Sequence, residues 1–313
     1  MPRLIEAPSE TSLELGELIE RLETSAFDPD DEECLASWGD SLKQLGNNRN
    51  FLGDLAVAEL KDRCSGQLAS NHYTPQVIML YGRSKTFLIR ANFWPAKEDS
   101  IVVNSGTDPF FYDMPHDHNF SFLTVGYLGP GYWSDYYEYD YGSVVGHAGE
   151  RIDLRFVERA RLDPGKVMLY RAHRDVHRQL PAESLSVSLN IVAISAAQDF
   201  REQYRFDLER SEVVGIINSI SLEPLLALSA HLGGQAGQEL LADFAASHPS
   251  ERIRLAAISA QASTAGGVDA RLRIYEAAAR LPGRLVSAVA AREARRIEAS
   301  RHWIESRPAE VAA

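Results

Sequence analysis

The stretch Pro115-His116-Asp117-His118-Asn119-Phe120, joined by Val176-His177-Arg178 further along the chain, decides the fold prediction. Side-chain direction repeats every two residues in extended chain, so His116 and His118 project from one face. A third imidazole from a neighbouring strand, that of His177, would complete a set of three. Such a set holds a divalent metal and leaves coordination positions open. The pattern therefore predicts a strand-built metal site.

Composition narrows the class of protein. The chain has 313 residues and a formal net charge of -12, and phosphate binding needs a basic footprint, so no nucleic-acid partner is predicted. Cys34 and Cys64 stand far apart without a Cys-x-x-Cys motif, which predicts neither a disulfide framework nor a zinc ribbon. The N-terminus lacks a basic stretch followed by an apolar run, and no apolar run reaches a spanning length of about 18–20 residues. We expect a soluble, cytoplasmic protein with no membrane partner.

The period of the apolar residues divides the chain into three segments. Spacing of three and four predicts N-terminal helices in residues 1–70. Short strands, among them Ile101–Val103, with Gly and Pro turns predict a β-sandwich or barrel of the jelly-roll kind in 71–206. An Ala- and Leu-rich pattern, helical from about Glu209, predicts a C-terminal helical region in 207–313. The predicted class is α+β, with helices at both ends of the barrel.

The C-terminal region contains a short turn into an amphipathic helix at His248–Ile258. It is similar to the second half of a HEAT-type helical hairpin, although the self-similarity along the region is weak. An ordinary helical appendage stays an equal alternative.

The strand predicted at Thr86–Trp94 contains one charged residue, Arg90. Alternation puts Phe87, Ile89, Ala91 and Phe93 on one face, and Leu88, Arg90, Asn92 and Trp94 on the other. If the second face lines the interior of a barrel, Arg90 carries a positive charge into a cavity.

From Pro75 to Ala197 the chain resembles the cupin superfamily. His116-x-His118 leads into a strand that ends at Val125-Gly126, and this is similar to the first cupin motif. The stretch Leu162–Tyr170, with its Pro164-Gly165 turn, is followed by His177 and is similar to the second motif. The resemblance implies a metal-binding jelly-roll barrel.

Within that superfamily the chain is similar to the three-histidine, cysteine dioxygenase-like non-haem iron dioxygenases. The cupin glutamate would fall at Phe122 or Leu123, so the fourth protein ligand is missing. The resemblance implies His116, His118 and His177 as metal ligands. Fe(II) is the favoured metal, while Zn, Cu, Ni and Mn stay open because imidazole suits several metals.

Candidate catalytic residues are Arg90, Tyr170 and Ser188. Arg90 stands where the family has its carboxylate-binding arginine. The family's Ser-His-Tyr relay would fall near Ser188, Asn190 and Val192, so only the serine is retained. We therefore carry over the metal ligands and the anion-binding role of Arg90, and no substrate. A structural ion pair stays an equal alternative for Arg90.

Several alternatives stay open at this point. His173 competes with His177 as the third ligand, and His147 is a further candidate. Glu138 or Asp140 could convert the set to two histidines and one acid. The tyrosines between Tyr132 and Tyr141 could form a substrate wall or pack on the surface of a hairpin.

We expect an oxygenase that acts with O2 on an anionic substrate, either a small molecule or a group carried by a peptide or carrier. The alternatives are a redox-silent isomerase or lyase that uses the metal as a Lewis acid, and a non-catalytic sensor or scaffold. The C-terminal helices could recruit a protein partner, and the resemblance to cupins leaves a homodimer open.

Overall fold

The computed structural model describes residues 2–71, 73–74 and 76–305. The chain divides into two compact units. Of the described residues, 2–144 and 151–217 belong to the first unit, and 145–150 and 218–305 to the second. The three segments 1–70, 71–206 and 207–313 stay a prediction.

The first unit contains antiparallel sheets. Its strands are β1 (Arg3–Ile5), β2 (Val77–Tyr81), β3 (Phe87–Trp94), β4 (Phe122–Leu128), β5 (Trp133–Glu138), β6 (Arg155–Arg161), β7 (Val167–Tyr170), β8 (Asp175–Gln179), β9 (Ser186–Ala193), β10 (Tyr204–Asp207) and β11 (Glu212–Ile216). A six-stranded sheet has the order β1-β7-β4-β9-β3-β2, a three-stranded sheet has the order β6-β5-β8, and β10 and β11 form a hairpin. The described strands therefore make separate sheets, and a closed barrel is not shown.

One face of the six-stranded sheet is covered by the N-terminal helices. These are α1 (Leu15–Thr24), α2 (Glu32–Ser37), α3 (Gly39–Asn47), α4 (Phe51–Lys61) and α5 (Ser65–Ser70). Fully buried leucines of the first three helices, such as Leu18, Leu35 and Leu42, share a hydrophobic core with Ile89 and Ile191 of the sheet. Burying such a side chain stabilises the fold by about 1.5–3 kcal/mol. The helices act as a buttress behind the sheet.

The other face of this sheet meets the three-stranded sheet across a second core. Trp94, Phe122 and Tyr170 of the larger sheet share this core with Tyr136 of the smaller one. The two faces of β3 thus separate as the alternation predicts. Ile89 lies with the helices, and Arg90 and Asn92 line a cavity between the sheets.

Two local predictions are wrong. The residues around Ile101–Val103 form helix α6 (Ser100–Ser105) instead of a strand. The amides of Val102 and Val103 both donate to the Asp99 carbonyl, and this local pairing outweighs the strand preference of a short β-branched run. The region after Glu209 begins as strand β11, because the Asp207 carboxylate accepts from the amides of Glu209 and Arg210 and turns the chain into a hairpin.

The second unit is helical, as predicted. Its helices are α7 (Leu222–Leu232), α8 (Gly234–Ser247), α9 (Glu251–Ser263), α10 (Val268–Ala278) and α11 (Arg284–Glu305). They share one core that includes Leu241, Ile253 and Val286. A HEAT-like hairpin stays a prediction. None of the helices in the described part of the chain is both long and apolar enough to cross a membrane.

Candidate metal centre

Backbone pairing brings the predicted ligands together. His116 and His177 exchange two backbone hydrogen bonds, of 3.1 and 3.0 Å. His116 precedes β4 as an isolated bridge residue that also pairs with Arg205 of β10. The prediction that the His116–His118 pair lies in a strand is therefore replaced by an extended segment held from both sides. The alternation of side chains survives, so Asp117 points away from the two histidines.

The three imidazoles converge through their Nε2 atoms. His118 Nε2 lies 3.0 Å from His177 Nε2, and His177 Nε2 lies 3.2 Å from His116 Nε2. In the described part of the chain these three residues form the group of histidine, cysteine or acid side chains that could hold a metal ion. The convergence of three nitrogen donors fits a divalent metal bound on one side, with the opposite side open to a ligand.

Hydrogen-bond contacts at Nδ1 fix the orientation of two of the three imidazole rings. His116 Nδ1 lies 2.7 Å from the Met114 carbonyl, so it carries the proton and leaves Nε2 as the lone-pair donor. The side-chain amide of Gln203 lies 3.3 Å from His118 Nδ1, and its oxygen can accept that proton once the amide is turned. His177 Nδ1 is buried and has no hydrogen-bond partner among the described residues.

Burial keeps all three histidines in the form that a metal needs. It lowers the pKa of His116, although a hydrogen bond to Met114 opposes the shift. The pKa values of His118 and His177 fall well below the ordinary value of 6.5, first through burial and then because a proton on either ring would be repelled by a protonated His116, with Arg90 adding to the effect at His118. Neutral imidazole is the ligand form, so little proton release opposes metal binding at neutral pH.

Asp117 anchors this segment from behind. It is fully buried, and its carboxylate accepts from the Tyr139 hydroxyl at 2.5 Å and from the Tyr204 amide at 2.6 Å. Such charge-assisted bonds are among the stronger ones in proteins. Asp117 therefore supports the segment that carries His116 and His118 and does not face the three imidazoles.

A cavity of about 280 Å³ opens beside the three histidines. Its wall includes the aromatic side chains of Trp94, Tyr132 and Tyr170. Arg90 enters it from β3 and is only 6% exposed. No ion pair joins Arg90 to a carboxylate in the part of the chain that the structure describes, and its Nε atom has no hydrogen-bond partner there. The guanidinium instead lies 4.9 Å from the ring centre of Tyr73.

The other two candidate catalytic residues lie at different depths. The Tyr170 hydroxyl is 2.9 Å from that of Tyr136, and its ring centre is 5.0 Å from that of His177. Burial raises the pKa of the Tyr170 phenol well above 10, so it keeps its proton. The Ser188 hydroxyl accepts from the Trp94 indole nitrogen at 3.0 Å. It stands behind the aromatic wall, where it orients Trp94.

The alternative ligands lie outside the group formed by His116, His118 and His177. Glu138 pairs with Arg155 at 2.6 Å and with Arg171 at 3.0 Å. Asp140 caps the turn that follows it, and His147 belongs to the second unit. His173 is buried, with Nδ1 at 3.8 Å from the Asp117 carboxylate. Of the tyrosine run, Tyr132 lines the cavity and Tyr139 holds Asp117, so the run serves both as wall and as packing.

Sequence reasoning missed the side-chain amides of the site. Asn92, Gln179, Asn190 and Gln203 all line the cavity. For Asn92 a signal existed, because it shares the alternation of Arg90. Asn190 faces the cavity because its backbone pairs with Arg90 in the β3–β9 register, and that register is a tertiary property.

Thr124 gives a first prediction. Its hydroxyl is buried between Asn190 and Met168 in the strand register, and no partner for it is found among the described residues. Thr124→Val removes a desolvated hydroxyl at constant shape, so we expect the free energy of unfolding in urea to stay level or rise by up to about 1 kcal/mol.

The matched control is Ser186→Ala. Ser186 has a buried hydroxyl that accepts from the Gly131 amide at 3.1 Å, so its removal is expected to cost about 1–3 kcal/mol. A loss on Thr124→Val as large as that of the control would contradict the prediction.

No family model and no curated protein matches the chain. The chain is similar to several solved structures. One is the DMSP lyase DddQ from Ruegeria pomeroyi DSS-3, with 12% identity, 38% of this chain and 47% of that chain covered, and a TM-score of 0.24. A hydroquinone 1,2-dioxygenase from Sphingomonas sp. TTNP3 has 10% identity, 42% and 72% coverage and a TM-score of 0.28.

A salicylate 1,2-dioxygenase from Pseudaminobacter salicylatoxidans has 12% identity, 46% and 33% coverage and a TM-score of 0.25. This chain thus spans about half of the lyase and a third of the salicylate enzyme. Scores at this level assign neither substrate nor reaction, so the functional argument rests on the site itself.

Proposed function

We propose that the protein is a mononuclear non-haem metal oxygenase, with Fe(II) at His116, His118 and His177, acting with O2 on an anionic substrate. One observation carries the proposal: three buried imidazoles converge on the wall of a cavity that also contains the guanidinium of Arg90, which forms no ion pair with a carboxylate among the described residues. The resemblance of the two histidine motifs to the three-histidine cupin dioxygenases supports the choice of metal and reaction.

The donor set favours an anion. Three neutral ligands leave the 2+ charge of the ion uncompensated, so a bound Fe(II) would attract an anionic donor group of the substrate and supply the redox chemistry with O2. Arg90 would hold a second anionic group of the substrate, or the other end of the same carboxylate. Because Arg90 is buried, its attraction for an anion is little screened by salt.

The remaining wall residues position the substrate and exclude water. Trp94 and Tyr132 lie with ring centres 4.3 Å apart, and Phe122 stacks on Tyr170 at 4.5 Å. Together they offer apolar faces to the body of a small molecule. Tyr170 keeps its proton, so its hydroxyl is available as a donor toward the Tyr136 oxygen or toward a bound ligand.

Metal analysis and oxygen uptake test the proposal. Protein purified without added metal is expected to contain iron near one equivalent, and a panel of small carboxylic acids should include some that start O2 consumption. Tightly bound zinc and no oxygen uptake with any member of the panel would overturn it. That result would favour a Lewis-acid isomerase or lyase, since the same imidazole set also suits zinc.

Arg90→Gln gives the second prediction. The substitution removes the cation but keeps a polar side chain, so the dissociation constant for a bound acid such as phenylacetate should rise about 10- to 100-fold, as for loss of a charge-assisted hydrogen bond. Calorimetric titration measures it. Arg174→Gln, at a side chain that is 56% exposed, should leave the constant unchanged. Equal effects of the two substitutions would contradict a role for Arg90 in binding.

A further inference from the structure

Arg90 is a buried cation whose surroundings the proposed chemistry does not explain. It is 6% exposed, and a buried charge in a protein is as a rule paired with an opposite charge. The described residues that line its cavity include no carboxylate. The Nε atom of Arg90 is fully enclosed, whereas Nη1 and Nη2 do not belong to the enclosed atoms without a partner. The terminal nitrogens are thus the part of the guanidinium that can meet a ligand.

Two aromatic rings contact this guanidinium in place of an acid. Arg90 Cζ lies over the rings of Tyr73 and Phe120, at 4.9 and 5.8 Å from the ring centres. Both distances are within the range of about 6 Å for a cation–π contact. Burial lowers the pKa of Arg90, and the nearby Tyr73 phenol opposes this shift. The two side chains therefore stabilise the charged form without cancelling its charge.

Aromatic contacts, unlike a carboxylate, leave Arg90 available to an anionic ligand. A carboxylate beside the guanidinium would occupy its N–H groups and would compete with the substrate. An aromatic ring contacts the flat face of the guanidinium instead, so the N–H groups along its edge stay available for a bidentate contact. Tyr73 and Phe120 both line the cavity that contains Arg90, so they flank the position where an anion would bind.

Phe120 also contacts the group of three histidines. It follows His118 by two residues, and the two ring centres are 4.9 Å apart. The ring of Phe120 therefore links His118 to Arg90 and fixes the spacing between the two groups that are proposed to bind the substrate. Tyr73 precedes strand β2 and is 42% exposed, so its substitution disturbs little packing.

We propose that Tyr73 and Phe120 are positioning residues, which hold the Arg90 guanidinium at a fixed place beside the three histidines and leave its terminal N–H groups to a substrate carboxylate. This inference rests on the proposed function in that it takes Arg90 as the anion-binding residue. It assigns a role to two residues outside the candidate catalytic set. A guanidinium that is fixed before binding loses little conformational freedom when the anion arrives, so the two rings raise the affinity for carboxylates in particular.

Titration of an acid and of its uncharged analogue tests the positioning role. Phenylacetate carries a carboxylate, and phenylacetamide has nearly the same shape without the charge. Calorimetry of the metal-containing protein without O2 gives both dissociation constants. Tyr73→Leu is expected to raise the constant for phenylacetate about tenfold, as for loss of a cation–π contact to a desolvated charge. The constant for phenylacetamide should change less than about twofold, whereas general damage to the cavity would weaken both ligands alike.

Further variants assign the effect to the contact with Arg90. Tyr73→Phe keeps the ring and should stay within about threefold of the unchanged protein. Phe120→Leu should weaken phenylacetate binding as Tyr73→Leu does, and it serves as the test if that variant fails to fold. In the Arg90→Gln background, Tyr73→Leu should have no further effect, because the cation that the ring holds is gone. Phe156→Leu is the matched control, since Phe156 is 54% exposed and is not among the residues that line the cavity.

Four results would overturn the inference. They are unchanged phenylacetate binding in both ring variants, an equal loss for phenylacetate and phenylacetamide, an undiminished effect of Tyr73→Leu in the Arg90→Gln background, and no binding of phenylacetate at millimolar concentration. Failure of the proposed function is recognised separately, because the titrations need no turnover. Coupling between Tyr73 and Arg90 in a protein that consumes no O2 would leave the positioning role standing and remove the oxygenase. Oxygen uptake that depends on Arg90 and on neither ring would do the reverse.

Discussion

His177→Ala is expected to lower the affinity for a divalent metal by about a hundredfold to ten thousandfold, because one of three donors is lost and each factor of ten corresponds to about 1.4 kcal/mol. The reason is the convergence of the three Nε2 atoms, two of which lie 3.0 and 3.2 Å from that of His177. Competition against a chromophoric chelator measures the affinity, and elemental analysis after dialysis gives the stoichiometry.

Controls separate ligand loss from unfolding. His177→Phe keeps an aromatic ring against Tyr170, whose centre is 5.0 Å away, and should lose metal to the same degree with a near-normal melting temperature. His231→Ala, at an exposed helical position of the second unit, should bind metal as the unchanged protein does. Retained affinity in His177→Phe, with a loss in His173→Phe instead, would move the third ligand to His173.

The metal-free protein is expected to lose stability as the pH falls below about 6.5. Burial holds the pKa of His118 and His177 well below that value in the folded state, whereas the unfolded chain binds both protons near 6.5. Stability is therefore fully present above pH 6.5 and declines below it, by about 1.4 kcal/mol per pH unit for each histidine, or about 2.8 kcal/mol for the pair. The decline continues until the folded-state pKa values are reached.

Urea unfolding of chelator-treated protein at pH 7.5, 6.5 and 5.5 measures this slope. His118→Phe removes one of the three histidines whose pKa burial lowers and should reduce the slope by up to about 1.4 kcal/mol per pH unit, the effect of one proton. His231→Gln, on an exposed helix, should leave it unchanged. A flat profile between pH 6.5 and 5.5 would mean that the imidazoles are already protonated in the folded protein, which would contradict the neutral ligand set.

Local pattern was enough to bring four residues of the candidate site to attention. The spacing of His116 and His118, the later His177 and the alternation that points Arg90 inward all depend on the two-residue period of extended chain. The structure places these four residues around one cavity. The N-terminal helices were likewise predicted from the three- and four-residue spacing of apolar side chains, and the C-terminal helical region was predicted from its Ala- and Leu-rich pattern.

The unpredicted features are set by the tertiary structure. No local pattern shows that His116 pairs with β8 and with β10, or that Gln203 reaches His118. That Asn190 belongs to the cavity wall becomes clear only once the β3–β9 register places it opposite Arg90. Strand β11 was missed because the Asp207 carboxylate, which accepts a hydrogen bond from the Glu209 amide, decides the turn. The surrounding composition favours a helix.

The double pairing of the His116 segment bears on how the protein is made. His116 pairs with His177, and the flanking Pro115 and Asp117 bond to Phe206 and Tyr204. During synthesis, His116, His118 and His177 all leave the ribosome before strand β10, which pairs with the His116 segment. The ligands thus acquire their final spacing only when residues up to about 206 have emerged. The group of three histidines is therefore complete in its final geometry only after most of the first unit has been synthesised.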